Sequence, residues 1–177
     1  NAAHLANLPT VQISALSEAV YDELELGSFG RLLALTSNDE VNALACLHFA
    51  EIFGRARVYQ LATKEIDSGN KEAVSAPLRG RLLFDSRTTY ADLTRRFETG
   101  AVMKKFILTK QFDYAAFKQQ YSQNTLPLFL ITQAGNLIVY TTDNEYAPQP
   151  GDTIISLINP AETLPDEEVA ANSIPIT

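Results

Sequence analysis

Gly30-Arg31-Leu32-Leu33-Ala34-Leu35-Thr36-Ser37-Asn38-Asp39-Glu40-Val41-Asn42-Ala43-Leu44-Ala45 is the stretch that decides how this chain folds. Leu32, Leu33, Ala34 and Leu35 are continuous and apolar, as parallel strands covered on both faces tend to be. Thr36 to Asn38 interrupt the run. Ser37 and Glu40 have capping-box spacing, so a helix is predicted to begin there. It extends to about Phe53. Val41, Leu44, Ala45, His48, Phe49 and Ile52 form one stripe, and Ala43, Cys46, Leu47, Ala50 and Phe53 cover much of the rest. A helix apolar nearly all round is expected to be largely buried. Gly54 is its C-cap, and Val58 to Leu61 is the next strand.

Toward the N-terminus, Thr10 to Ile13 reads as a short strand after Pro9. Ser17 to Leu24 reads as a helix, with Ser17 at the N-cap. Strand, helix, strand, helix, strand is the order of a parallel wound sheet, and residues 1–62 are assigned to it. Residues 63–78, with Asp67, Ser68, Gly69, Asn70 and Pro77, read as a linker.

A second, α+β unit is expected over 79–159. Arg81 to Phe84 is a short strand. Thr89 and Asp92 box a helix that stops at Gly100, and Val102 to Thr109 is strand-like. Asp113 caps a helix through Tyr121. Pro127–Thr132 and Leu137–Thr142 flank Gln133-Ala134-Gly135-Asn136 as a hairpin. Pro150-Gly151-Asp152 turns into a last strand, Thr153 to Ile158. Residues 160–177, with Asp166, Glu167 and Glu168, are expected to be a flexible acidic tail.

Composition narrows the function classes. Lys plus Arg is 14 against 21 for Asp plus Glu, a net charge of -7. That balance excludes nucleic acid and anionic lipid surfaces as main partners. No apolar run approaches the roughly 20 residues of a membrane span. The single Cys46 excludes an internal disulfide framework and fits a reducing compartment. No Cys/His cluster has metal-ligand spacing. The chain begins at Asn1 with no leader pattern, and Asn1 to Leu8 reads as the end of a helix. A piece of a longer protein is expected.

In a wound sheet, ligands sit beyond the carboxyl ends of the strands. Here those ends are Ser14-Ala15, Thr36-Ser37-Asn38 and Leu61-Ala62. Ser14, Ala15 and Thr36 would line the rim of such a site. Ser37 and Asn38 would offer the helix N-terminus, whose N–H groups favour anions. The plainer reading of Ser37 and Glu40 is a capping box alone. His48 lacks a Cys, Asp or His at useful spacing and reads as a core or interface residue. Cys46 reads as a buried, inert thiol. Arg95-Arg96 and Lys104-Lys105 read as solvated faces, or as ion pairs to acids in a partner. No spacing indicates a catalytic set, so the chain is read as a non-enzyme.

Gly30 to Ala45 resembles the second half of the nucleotide-binding domain of the regulator-of-potassium-conductance (RCK) family. That half runs apolar strand, Thr, small or polar residues, Asp, Glu, Asn, then a buried helix. Ile13-Ser14-Ala15-Leu16-Ser17 resembles the family's preceding strand and turn, often Gly-Asp-Ala there. Phe53-Gly54 followed by Val58-Tyr59-Gln60-Leu61 most resembles the version carried on the cytosolic tails of bacterial cation:proton antiporters. The second unit, with its Pro-Gly-Asp turn and apolar strand, is similar to the family's C-terminal accessory domain. The likeness covers roughly Ala2 to Ile158 and is specific around Gly30 to Leu61.

The resemblance implies an α/β chain: a partial Rossmann-like parallel sheet, then a small α+β accessory domain. The G-x-G-x-x-G fingerprint is absent and would lie before Asn1. No cofactor is therefore expected on this stretch, while NAD(H) or an adenine nucleotide is the ligand class of a full-length parent. Ser14 stands where Asp is more usual. The implied function is a cytosolic regulatory and assembly module of a monovalent cation:proton antiporter, at the cytoplasmic face of the bacterial inner membrane. The implied partners are the transmembrane transport domain of the same polypeptide and a second copy in a homodimer, with no nucleic acid. The competing readings are a fragment of an NAD-dependent oxidoreductase, a free-standing potassium-transport regulator and a purely structural assembly domain. With part of the sheet missing, Thr10 to Ile13 is expected to repack or to pair between chains.

Overall fold

The computed structural model describes residues 8, 10–20, 26–63, 80–121, 124–159 and 173–175. The chain is mixed α/β. It divides into two compact units, Asn1–Gln60 with Val74–Gly80, and Leu61–Ala73 with Arg81–Thr177. The predicted linker lies outside the described residues except Thr63. Among the described residues no helix is long and apolar enough to cross a membrane.

In the first unit, β1 (Leu32–Ala34) and β2 (Val58–Gln60) flank α1 (Asp39–Phe53). The strands pair in parallel, Leu32 opposite Val58 and Ala34 opposite Gln60, which is the expected strand–helix–strand order. All three residues of β2 are buried. Val20, Ala34, Ala45, Cys46, Phe49 and Val58 form the core. Gly54 ends α1 at φ 80, where a side chain would be strained, and its N–H reaches the Ala50 carbonyl.

Three details differ from expectation. The N-cap of α1 is Asn38, not Ser37: Asn38 Oδ1 accepts the Val41 N–H at 3.0 Å. The Thr36 hydroxyl accepts the Asn38 N–H at 3.3 Å, which leaves Asn38 as the last extended residue before the helix. Secondly, α1 is not buried all round. Ala43, Ala45, Cys46 and Phe49 face inward, but Leu44, Leu47 and Ile52 are exposed. Thirdly, residues 10–13 form no strand. Strand propensity needs a ladder to join, and the described pairing of β1 is to β2. Of the predicted 17–24 helix, residues 17–20 are described: Ser17 and Glu18 form a bend and a turn, and only Ala19 and Val20 are helical.

In the second unit, β4 (Val102–Ile107), β5 (Thr125–Ile131), β6 (Leu137–Val139), β7 (Thr153–Ile158) and β8 (Ser173–Pro175) form an antiparallel sheet in the order β6-β5-β7-β4-β8. β3 (Arg81–Leu82) continues into a bridge between Leu83 and Thr141. The hairpin joining β5 to β6 is as predicted, with Gly135 at φ 81. β8 shows that part of the predicted flexible tail pairs with β4, Ile174 opposite Lys105. The rest of 160–177 lies outside the described residues.

Pro127 shapes the sheet. It has no N–H for the ladder, and the register of β5 on β7 shifts between Pro127 and Phe129. Leu126 pairs with Leu157 and Leu130 with Ile154. The bulge thereby sends Leu126 and Leu130 to different cores. One core holds Leu130, Phe106 and Ile154 with Phe117 and Tyr121 of α3 (Tyr114–Tyr121). The other holds Leu126, Leu128, Leu157 and Ala101, with Leu93 of α2 (Tyr90–Glu98) against it. Phe106, Phe112, Phe117 and Tyr121 are buried together, with Tyr114 partly buried against them and Phe129 packed against the other core.

The predicted capping box of α2 is formed: Thr89 Oγ1 accepts the Asp92 N–H at 3.2 Å, and Asp92 Oδ2 accepts the Thr89 N–H at 3.2 Å. Asp113 caps α3 through the Ala116 N–H. Arg95 pairs with Asp92 of its own helix at 2.6 Å and Arg96 donates to Asn159, so these cations are engaged within the chain.

The box carries a pH prediction. Burial raises the pKa of Asp92, but the Thr89 hydroxyl and N–H, with Arg95 and Arg96, outweigh it and hold the carboxyl below its usual 3.8. The bidentate Arg81 guanidinium, at 2.9 Å to each oxygen, does the same for Asp143. A folded pKa below the unfolded one gives stability that is present above the unfolded value and lost as pH falls through the folded one. Thermal melts should therefore hold between about pH 7 and 5 and fall below about pH 4. Asp92→Asn should cost about 1 kcal/mol at neutral pH. Its further loss on acidification should be smaller than that of the unaltered chain, and a parallel pH profile would contradict the assignment.

Candidate functional site

Thr36, Ser37 and Asn38 stand together in the turn between β1 and α1. Ser14 and Ala15 lie in a separate turn, where the Ser14 carbonyl accepts the Ser17 N–H and hydroxyl and the Ser14 hydroxyl accepts the Leu16 N–H. All five residues are exposed.

The turn after β1 is organised by a residue that the sequence reading passed over. Asn42 is 1% exposed. Its Oδ1 accepts the Thr36 N–H at 3.1 Å and the Thr36 hydroxyl at 2.7 Å, and its Nδ2 donates to the Thr36 carbonyl at 2.9 Å. The amide thus copies a strand partner and satisfies both backbone groups where β1 ends. An Asn in an apolar helix was the available signal, since a buried amide must find partners.

This clasp changes what the turn can do chemically. The Thr36 hydroxyl is committed to Asn42, and Asn38 Oδ1 is committed to the Val41 N–H. Asp39 and Glu40 occupy the first turn of α1, where their carboxylates complement the helix dipole and oppose an incoming anion. Cys46 sits beneath the strands, its Sγ donating to the Tyr59 carbonyl at 3.4 Å. Burial pushes the thiol up to about 11, so it stays protonated and inert near neutral pH. His48 is half-buried and meets the Phe49 ring edge-on.

A second concavity lies wholly in the second unit. It is an open pocket of about 520 Å³ with an aromatic wall of Phe84, Tyr114, Tyr140 and Tyr146. Tyr140 and Tyr146 pack with ring centroids 4.3 Å apart. The Tyr146 hydroxyl is fully used, donating to the Val139 carbonyl and accepting the Thr141 N–H. Tyr140 and Thr125 differ. Tyr140 is 6% exposed, and neither its hydroxyl nor that of Thr125 has a hydrogen-bond partner of good geometry among the described residues. Burial, and then the adjacent Tyr114, push the Tyr140 phenol well above its ordinary value. Phe84 holds φ 67, a strained conformation for a bulky residue, while its N–H donates to the Tyr140 carbonyl. Lys118 stands at the rim, its Nζ 4.8 Å from the centre of the Tyr114 ring. Sequence reading missed this pocket because its walls come from β5, α3 and two loops far apart in the chain.

Among the described residues no group of three or more His, Cys, Asp or Glu side chains could hold a metal ion. Comparison of the chain with protein-family models, with curated proteins and with solved structures gave no match.

Proposed function

We propose that this chain is a non-catalytic regulatory and assembly module, carried by a monovalent cation:proton antiporter at the cytoplasmic face of the bacterial membrane. The observation that carries the reading is the outer face of α1. Leu44, Leu47 and Ile52 are 51%, 42% and 38% exposed on a helix whose other side builds the core. Leu44 stands between Leu47 and Ile52 on an arc of about 140° of the helix surface that also carries the exposed Glu51, and exposed apolar residues grouped on one side of a helix mark interaction surfaces. A second copy fits such a face, because two identical stripes meet about a two-fold axis. The β1–α1–β2 unit and the Gly30–Leu61 resemblance support the same family-level reading.

In this reading Thr36, Ser37 and Asn38 at the end of β1, with Ser14 and Ala15 from the separate preceding turn, would form the rim that a full-length parent completes with its glycine loop. NAD(H) or an adenine nucleotide is the ligand class of that parent. Pairing of two modules would then be biased by ligand, with a coupling typically of about 1–3 kcal/mol.

Sedimentation of the purified chain tests the assembly half of the proposal. A concentration-dependent dimer is expected. Leu47→Glu should leave a folded monomer whose melting temperature no longer depends on protein concentration, as that of the wild-type dimer should. A wild-type chain that stays monomeric into the high-micromolar range would remove the α1 face as an assembly surface.

A further inference from the structure

We propose that the pocket of the second unit binds a small organic amine as its ammonium ion. The proposal stands apart from the antiporter reading, because it rests only on groups within one unit.

Four observations converge on a ligand here. The pocket is large enough for a small molecule, at about 520 Å³. Tyr140 and Thr125 belong to its lining, and their hydroxyl oxygens, closed off from solvent, have no hydrogen-bond partner of good geometry among the described residues, with Tyr114 the polar neighbour of Tyr140. A buried hydroxyl without a partner is costly, and a ligand that donates to it would recover that cost. Phe84, also in the lining, is held at φ 67, and strain of this kind gathers at binding sites.

The chemistry of the lining selects the class. Aromatic faces attract cations through the negative face of the ring. Lys118 already uses this pocket that way, with its ammonium 4.8 Å from the Tyr114 ring centre. The charged side chains of the lining are Asp85, Glu145 and Lys118, a balance of one negative charge. An incoming ammonium would replace Lys118 over Tyr114 and face the carboxylates, and a small shift of the lining that uncovers the Tyr140 and Thr125 oxygens would let it donate to them. A primary amine meets these demands. A carboxylate or phosphate would find one exposed lysine and two opposing acids.

Lys118 makes the class testable by sign. The full chain would be titrated by calorimetry with 1,4-diaminobutane and, separately, with benzoate. Saturable diamine binding is expected, with little or no benzoate binding. Lys118→Met should tighten diamine binding several-fold, because it removes the competing cation. Asp85→Asn with Glu145→Gln should weaken it about tenfold, the scale of a lost close charge partner. Tyr140→Phe keeps the ring and should weaken it less, while leaving the fold intact by thermal melt. Absence of saturable diamine binding in the wild-type chain would overturn the proposal. So would benzoate binding that Lys118→Met abolishes, which would assign the pocket to anions.

Discussion

Asn42→Ala should destabilise the first unit by about 2–3 kcal/mol, more than any other single change on α1 outside its apolar core. Asn42 is the sole side chain seen to satisfy the N–H, the carbonyl and the hydroxyl of Thr36 together. Truncation leaves the Thr36 N–H and carbonyl without their side-chain partner where β1 ends, while the hydroxyl keeps only its bonds to the Asn38 backbone. Asn42→Leu would refill the volume but not the hydrogen bonds, so it should recover only part of the loss. Thr36→Val removes one of the three bonds and should cost about 1 kcal/mol. The two sites should be strongly non-additive in a double-mutant cycle, because they share one network. Denaturant unfolding of the four proteins measures this. Additive effects would mean that Asn42 acts through packing alone.

Gly80→Ala should be nearly as damaging, about 1–3 kcal/mol, by overpacking. A methyl group there would stand 2.6 Å from Cys46 Sγ, 3.1 Å from the Val58 carbonyl oxygen and 3.2 Å from the Tyr59 carbonyl carbon. The sulfur can turn away, but the backbone of β2 cannot give without moving the strand. Gly80 also donates its N–H to the buried Gln60 Oε1 at 2.9 Å, a bond that the same displacement would stretch. Cys46 supplies the readout. Its thiol is buried, and burial raises its pKa to about 11, so a thiol reagent near pH 8 should label the folded wild-type chain slowly. Gly80→Ala should speed labelling by about the factor in which it lowers stability, about five- to a hundred-fold. Unchanged labelling would show that the site relaxes without strain.

Local signals in the sequence carried much of the fold. Gly54 after Phe53 set the end of α1, Thr89 with Asp92 set the start of α2, and Asp113 set the start of α3. Each is chemistry between residues three or four apart, which a linear sequence displays directly. The capping box at Ser37 and Glu40 failed for a nonlocal reason: Asn42 draws Thr36 into its own hydrogen bonds and hands the cap to Asn38. Residues 10–13 had the apolar content of a strand, but among the described residues no strand pairs with them. The bulge at Pro127 was legible only as a proline in a strand, since its effect appears in the pairing with β7.

The candidate sites divide in the same way. The strand-end turn was legible, because the end of an apolar run followed by a helix start is a sequence pattern. The pocket was not. Phe84, Tyr114, Thr125 and Tyr140 are far apart in the chain and meet only in the folded unit. The outward stripe of α1 was hidden because Leu44 and Leu47 look like core in a helix that is apolar nearly all round.

The central claim is that this chain works as a module attached to a cation transporter. The most direct test is the gene sequence upstream of the codon for Asn1. The account predicts several apolar runs of about 20 residues, followed by a strand that leads into G-x-G-x-x-G. A short segment carrying the same glycines with no such runs would contradict it, and would point to a free-standing regulator or an oxidoreductase.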